Sequence, residues 1–259
     1  MQENISNKNQ SVERTFQIIE IMAQGTPSMR LLDIAEKTQL PNSTVLRFLK
    51  TLMLYNYVRQ DSETLRYSLS LKFCHIGYMI SSQLSIRDIV RPYLIGLSKK
   101  CQESTCLAQE EDMTVMYIDA VDGPDNMLKT LQRIGKRAPL HCTGVGKLML
   151  LNYDYAKLDL LIAKYGLISM TPNTITNKDD LLAELSKVSE NDFALDDEEC
   201  ELGARCLAAP IRDYTGNVIA AISVSGPTNR MTMKKIDEFK TYISEISCNI
   251  SKALGYKTD

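Results

Sequence analysis

A row of small polar residues after Pro41 carries the side chains of this chain that are best suited to read a nucleic acid. The row lies on the first turns of one predicted helix and comprises Asn42, Ser43, Thr44 and Arg47. Amide, hydroxyl and guanidinium groups at the start of a recognition helix bond to base edges and phosphates in the major groove. Asn42 or Ser43 could also cap the helix by accepting N–H groups that lack an intrahelical partner. The alternative is an ordinary helical hairpin whose polar residues are merely solvated.

Two short helices and a tight turn must position this row. Apolar residues recur three or four apart over residues 31–52, and they predict one small core, formed by Leu32, Ala35, Leu40, Val45, Leu49 and Leu52. A further helix is predicted ahead of the pair, with Gly25 at its end. The apolar face of that first helix is predicted to be Val12, Phe16, Ile19 and Met22. The three helices together predict a helix-turn-helix domain.

A two-stranded ribbon is predicted directly after the helices. Residues 57–60 and 65–69 favour extended backbone, and the polar residues between them favour a turn. Arg59 and Arg66 lie on this ribbon, where they could reach the phosphate backbone or the minor groove. Three helices and such a ribbon make a winged helix-turn-helix domain over residues 8–70, and DNA is the usual ligand of that domain.

Length and composition are typical of soluble globular protein with more than one domain. The chain has 259 residues, of which 44% are hydrophobic and 24% charged. No run approaches the roughly 20 apolar residues that span a bilayer, and the polar N-terminus lacks a signal-peptide core. A cytoplasmic protein without membrane contact is therefore expected. Seven scattered cysteines without a CxxC pair indicate reduced thiols rather than disulfides or a zinc site.

The net charge of −2 is distributed slightly unevenly along the chain. Residues 1–80 carry nine Lys or Arg against seven Asp or Glu. This bias neither supports nor excludes DNA binding, because a domain that reads bases with a few well-placed basic side chains does not need a high pI. The weak basicity leaves open the alternative of a metabolite-binding module whose helix-turn-helix serves protein contacts.

The part of the chain after the ribbon predicts a second, larger domain. A linker helix is predicted over 71–84, and the helix after it tolerates Pro92 only near its start or at a kink. Strands are predicted over 105–109, 114–120, 127–134, 206–212 and 217–225, and helices over 143–151, 154–164, 178–190 and 232–254. Antiparallel strands with helices segregated around them indicate an α+β domain over residues 85–257.

Three segments of this second domain resemble the signature of the IclR (isocitrate lyase regulator) family of bacterial transcription factors. They are residues 137–150, 196–211 and 220–227, and residues 43–47 and 253–256 also fit the family pattern. The likeness covers about residues 10–256. It implies a winged helix-turn-helix domain, a linker helix and a GAF-like effector-binding domain. It also implies double-stranded operator DNA and a small organic or sugar acid as partners, no cofactor, and a homodimer that in many members assembles into a tetramer.

By position, the resemblance places an effector cleft in the second domain. The cleft would be lined by Thr143, Gly144, Val145, Asp196, Cys206, Ser223 and Ser225, with an apolar wall of Met127, Leu128, Leu131 and Leu140. Hydroxyls and the N–H groups of a helix start favour a carboxylate, whereas Asp196 would accept a hydrogen bond from a ligand hydroxyl. The alternative for Ser223 and Ser225, two apart on a strand, is that they face the same side and bond locally.

Residues that suggest catalysis or nucleotide binding do not complete the corresponding motifs. The run 144–147 is not a phosphate loop, because His141 occupies the position of the first glycine and Leu148 replaces the hydroxyl residue. Lys147 is instead expected at the surface or just behind the site. His75 and His141 are the only histidines, and neither HExxH nor GxSxG is present. No catalytic residue, no metal and no enzymatic activity are therefore expected.

Overall fold

Two separate units make up the fold. The computed structural model describes residues 9–83, 85–123 and 134–257, and its contacts divide the chain into Met1–Leu84 and Ser85–Asp259. Each unit has a buried apolar core of its own. Within the described residues, no helix is both long and apolar enough to cross a bilayer.

The N-terminal unit contains a winged helix-turn-helix domain, as the sequence predicts. Its elements are α1 (Gln10–Gln24), α2 (Leu31–Thr38), α3 (Asn42–Leu54), β1 (Val58–Gln60), β2 (Tyr67–Leu69) and α4 (Lys72–Gln83). The strands pair antiparallel, with Arg59 opposite Ser68. Met29 forms an isolated bridge with Tyr67, which joins the ribbon to the segment that leads into α2.

The core of this unit agrees only in part with the predicted apolar face of α1, because Met22 is buried and Ile19 is half-buried against the core. Val12 and Phe16 are exposed, whereas Ile18 and Met22 are buried. The helix carries two apolar stripes, and residues four apart at positions 18 and 22 form the one that faces the core. Leu32 is exposed as well, because α2 turns its neighbours Ile34 and Ala35 inward. The remaining core prediction agrees with the structure for Ala35, Val45, Leu49 and Leu52, while Leu40 is half-buried.

The C-terminal unit is built on one antiparallel sheet with the strand order β5-β4-β3-β8-β7-β6. The strands are β3 (Ser104–Glu111), β4 (Thr114–Val121), β5 (Arg137–Ala138), β6 (Ala194–Asp197), β7 (Ala204–Arg212) and β8 (Val218–Pro227). The helices are α5 (Ile86–Cys101), α6 (Gly144–Leu150), α7 (Tyr155–Tyr165), α8 (Lys178–Asn191) and α9 (Met233–Ala253). This α+β organisation confirms the predicted fold class.

Helices cover both faces of the sheet. The helices α6, α7 and α8 pack on one face, and α5 and α9 pack on the other. Alternation along the strands divides the side chains between these layers, so that Cys106 and Ala108 face α6 while Leu107 faces the opposite layer. The register places Asp196 of β6 opposite Cys206 of β7, and Cys206 opposite Ser225 of β8. Three predicted site residues therefore form one row across the sheet.

Some elements differ from the prediction. The strands β5 and β6 are not predicted, because two and four residues are too few to show an alternating pattern. Pro92 lies inside α5 rather than near its start, and the helix continues past it, although a proline there removes one backbone hydrogen bond and its ring crowds the carbonyl four residues earlier. Residues 127–133 of the predicted strand 127–134 lie outside the described residues, and Ile134 lies in a turn.

Candidate DNA-binding and effector sites

The first turns of α3 expose most of the side chains predicted to read DNA. Asn42, Ser43 and Arg47 are exposed, and Thr44 is half-buried. Neither Asn42 nor Ser43 caps the helix, because the helix already begins at Asn42 and Pro41 is its N-cap residue. The Pro41 carbonyl accepts the Thr44 N–H at 2.9 Å. The capping prediction is therefore wrong, and both polar side chains lie on the exposed surface of the first turn.

Lys50 adds a second cation to the exposed surface of α3. It is exposed and follows Arg47 by three residues, a spacing that makes helical side chains neighbours. The helix contains no acidic residue, so this surface is positively charged. Sequence reasoning missed Lys50, although its helical spacing from Arg47 was the signal that could have identified it.

The two arginines of the ribbon have different surroundings. Arg59 is exposed on β1. Arg66 is half-buried, and its guanidinium donates from Nε to the Ser28 hydroxyl at 3.2 Å and from Nη2 to the Ser28 carbonyl at 3.0 Å. Asp61 closes the ribbon turn by accepting from the Thr64 N–H and hydroxyl, both at 2.7 Å. Arg59 is thus the ribbon cation that is directed to solvent, while Arg66 holds the ribbon against the segment before α2.

A cavity of about 330 Å³ opens at the row of site residues in the C-terminal unit. Asp196, Cys206 and Ser225 line it from three adjacent strands, and Tyr117 lines it from β4. Three further strand residues and six residues outside the strands complete the wall, namely Arg137, Ala138 and Ala204, and Lys136, Pro139, Thr143, Met170, Cys200 and Glu201. The sheet register therefore brings Asp196, Cys206 and Ser225 to a single concave site, and Thr143 joins them from the N-cap of α6.

Two further predicted effector residues among the described ones, Ser223 and Leu140, do not line this cavity. Ser223 is buried behind Ser225, with its hydroxyl 3.1 Å from the Cys106 sulfur and 3.4 Å from the Ser225 hydroxyl. This contact matches the alternative in which the two serines bond locally. Leu140 is buried and borders a second cavity, of about 220 Å³. Met127, Leu128 and Leu131 lie outside the described residues.

Thr143 is the N-cap residue of α6, and its hydroxyl bonds within the fold. The hydroxyl donates to the Pro139 carbonyl at 2.9 Å and accepts the Gly146 N–H at 3.2 Å. Gly144 and Val145 are buried in α6, and a Cβ on Gly144 would lie 3.2 Å from the Ala208 side chain. These two residues pack against the sheet, so that Thr143 is the part of this turn that reaches the cavity wall.

Asp196 is the buried carboxyl group of the cavity. Burial raises its pKa to about 7, against the lowering effect of hydrogen bonds from two backbone N–H groups. Its Oδ1 accepts from the N–H of Glu199 at 2.9 Å and from that of Cys200 at 3.2 Å. At neutral pH the group is therefore divided between a carboxylate, which only accepts hydrogen bonds, and a carboxylic acid, which can also donate one.

Lys147 is fully buried, so of the two positions expected for it the structure excludes the surface and agrees with the one just behind the site. Its ammonium donates to Glu199 Oε1 at 2.5 Å, to Glu184 Oε1 at 3.0 Å and to the Leu195 carbonyl at 2.9 Å. Two carboxylates and one carbonyl compensate for its lost hydration. Lys147 links α6 to α8 and to the segment that contains Asp196, and it therefore supports the cavity wall from inside the fold.

Comparison with known proteins places this architecture in a family. A model of the bacterial transcriptional regulator IclR C-terminal domain matches residues 79–252, and a model of the IclR helix-turn-helix domain matches residues 11–62. The chain belongs to the IclR family. This IclR-family protein is a transcriptional regulator and not an enzyme, as the motif analysis predicts.

Individual relatives match this regulator over nearly its whole length. The HTH-type transcriptional regulator XynR of Escherichia coli is 32% identical over 247 residues, which cover 95% of this chain and 98% of XynR. The regulator KdgR of Escherichia coli is 30% identical, with coverage of 95% and 93%. The crystal structure of Thermotoga maritima IclR is 29% identical and superimposes with a TM-score of 0.63, covering 95% of this chain and 99% of that one.

Proposed function

We propose that this IclR-family regulator binds a partly palindromic operator through α3 and that a small organic or sugar acid in the C-terminal cavity changes that binding. The observation that carries the proposal is the cross-strand row of Asp196, Cys206 and Ser225, which lines one cavity together with Thr143. A volume of about 330 Å³ is at the lower end of the range for small-molecule sites, and it suits a small metabolite.

In the proposed DNA complex, α3 enters the major groove. Ser43 and Arg47 read base edges, and Asn42 and Lys50 bond to bases or phosphates at the groove edge. Arg59 contacts the backbone from the ribbon. A homodimer presents two such helices to half-sites that are about 10 base pairs apart or a multiple of this spacing.

In the proposed effector complex, the hydroxyl groups of the acid bond to Asp196 and Ser225. Its carboxylate pairs with Lys136, which is exposed at the cavity wall. The neighbouring Arg137 is less suited to that role, because its Nη2 already lies 2.6 Å from Glu111 Oε2. The acid shifts operator affinity only to the extent that it binds the DNA-competent and the incompetent arrangements with different affinities.

Selection of genomic DNA fragments by the purified full-length protein tests the DNA part of the proposal. A recurrent palindrome is expected, with an affinity that falls steeply as salt increases because Lys and Arg contacts release counterions. Binding that does not depend on sequence and weakens only slightly as salt increases would refute this part. It would favour the alternative in which the helix-turn-helix contacts a protein.

The selected operator then serves to test the effector part. Operator affinity is measured with and without each member of a panel of hydroxy acids and sugar acids. For an active acid, Ser225→Ala is expected to weaken the response and to leave acid-free operator binding intact. Ser223→Ala is the matched control, because Ser223 lies behind the cavity wall. An unchanged response in Ser225→Ala would refute the proposed cavity as the effector site.

A further inference from the structure

The C-terminal unit contains a second cavity, of about 220 Å³, beside the proposed effector cavity. It lies between the turn that joins β3 to β4, which contributes Met113, and the end of α7, which contributes Tyr165. Residues 137–139 line both cavities. The two cavities therefore share one wall, and the proposed effector contacts leave the second cavity unused.

Polar side chains around this second cavity are mostly paired with protein groups. The Tyr165 hydroxyl donates to the Asp112 carbonyl at 3.1 Å. Arg137 donates from Nη1 to the Thr114 hydroxyl at 2.9 Å, and its Nη2 lies 2.6 Å from Glu111 Oε2. Arg137 is the only lysine or arginine among the described residues that line the cavity. Because its charge is already paired, the cavity does not favour a carboxylate ligand.

His141 supplies the polar group that stays available to a ligand. It lines the cavity, is 3% exposed, and its Nε2 lies 3.1 Å from the Ile168 carbonyl. Burial lowers the pKa of His141, against the raising effect of that hydrogen bond, so the ring is neutral at pH 7. A neutral imidazole has one donor and one acceptor, and since Nε2 donates to the carbonyl, Nδ1 is the acceptor. It receives no hydrogen bond from the described residues and is not one of their fully enclosed, unpartnered atoms.

The rest of the wall suits an aromatic ring. Leu140 and Leu161 are buried apolar residues of the wall. The Met113 thioether and the Tyr165 ring also line the cavity, and both groups make favourable contacts with aromatic rings. An apolar cavity of about 150 Å³ accommodates benzene, so a volume of about 220 Å³ suits a molecule of one or two fused rings.

We infer that the second cavity binds a neutral aromatic molecule of one or two rings that donates one N–H or O–H hydrogen bond to His141 Nδ1. A ring without a donor leaves this buried acceptor unpaired once water is displaced, which weakens binding. Since residues 137–139 line both cavities, we expect this molecule and the proposed acid to change each other's affinity. That regulatory consequence rests on the proposed function, whereas binding in the second cavity does not.

Methyl NMR of the full-length protein tests where such a molecule binds. The methionine methyl groups are labelled with carbon-13, and indole is titrated as the probe, because a bound aromatic ring shifts the resonances of nearby methyl groups. Met113 lines the second cavity and Met170 lines the first, and Met113→Leu and Met170→Leu assign the two signals. The largest shift is expected at Met113, and it should saturate. A largest shift at any other methionine, or shifts that rise linearly with indole, would overturn the inference.

A matched pair of probes tests the hydrogen bond to His141. Benzofuran has nearly the shape of indole but no N–H group. The ratio of their dissociation constants, benzofuran over indole, should be about 2- to 10-fold lower in His141→Phe than in the wild type. His75→Phe is the control, because His75 is exposed on α4, and it should leave the ratio unchanged. In the wild type, which needs no substitution, the nitrogen-15 resonance of His141 Nδ1 should move with indole and not with benzofuran. An unchanged ratio in His141→Phe, or an Nδ1 resonance that does not move with indole, would refute the role of His141.

Affinity measurements with both molecules test the regulatory consequence separately. For an acid that shifts operator affinity, saturating indole should change the dissociation constant of the acid about 5-fold or more, and the acid should change that of indole by the same factor. If indole binds at Met113 and the affinity for the acid stays the same, the two cavities are independent, which overturns the regulatory consequence. If no acid acts on operator binding, the proposed function fails, while the Met113 resonance still decides the second site.

Discussion

Replacement of Asp196 by asparagine should remove a pH dependence of folding stability. The pKa of Asp196 is raised by burial from 3.8 to about 7, so the folded state binds this proton more tightly than the unfolded state does. The free energy of unfolding of the wild type therefore falls as pH rises from about 4 to about 7 and then levels off. The asparagine side chain is isosteric and can still accept both N–H bonds at Oδ1, but it has no proton to lose.

The difference in pKa sets the size of the effect. Each pKa unit corresponds to about 1.36 kcal/mol, and three units predict that Asp196→Asn is about 4 kcal/mol more stable than the wild type above neutral pH. The two proteins should converge toward about pH 4. Between about pH 5 and about pH 8, the stability difference should grow by about 3 kcal/mol.

Pulse proteolysis in urea measures this difference on the full chain, with the C-terminal unit followed at each pH and at constant ionic strength. Asp237→Asn is the control, because this exposed aspartate of α9 pairs only with surface Lys240 among the described residues, and its removal should change stability by less than about 1 kcal/mol. Parallel stability curves for the wild type and Asp196→Asn would refute the assignment of a strongly raised pKa to Asp196.

Three further predictions, each made for a substitution, test the packing and the DNA surface. In Gly146→Ala the new Cβ would lie 2.3 Å from a backbone carbonyl oxygen, so urea denaturation should show a free energy of unfolding that is lower by about 2 kcal/mol or more. Gly96→Ala is the control, because a Cβ there has open space, and its free energy of unfolding should rise by about 0.5–1 kcal/mol. Lys147→Met leaves Glu199 buried without its cation and should cost about 3–5 kcal/mol, and a combined Glu199→Gln change should restore part of it; no loss would contradict the buried ion pair. Arg47→Ala should cost about 1–3 kcal/mol of operator affinity if Arg47 reads a guanine. Competition with mutated operators measures this loss for each sequence. An equal loss on all sequences would make Arg47 a phosphate contact instead.

The periodic spacing of apolar residues predicted most helices and strands, because this spacing depends on local structure. The helices of the N-terminal unit, the ribbon and the long helix α9 appear close to their predicted bounds, since each is defined by residues within a few turns of one another. The prediction of a cleft came from family resemblance rather than from spacing. Its residues Asp196, Cys206 and Ser225 share a cavity only because three antiparallel strands align them, and Thr143 reaches that cavity because α6 packs on the same sheet.

The sequence by itself determined the two domain types, the polar first turn of α3 and the membership of the IclR family. Only the tertiary structure decided which face of α1 is buried, that Arg66 is held by Ser28, and that Lys147 is enclosed. The physical reason is that burial and ionisation depend on groups that are distant in sequence. The carboxylates that bind Lys147 belong to residues 37 and 52 positions away in the sequence. No local sequence pattern predicts that these carboxylates contact Lys147 in a site shielded from water.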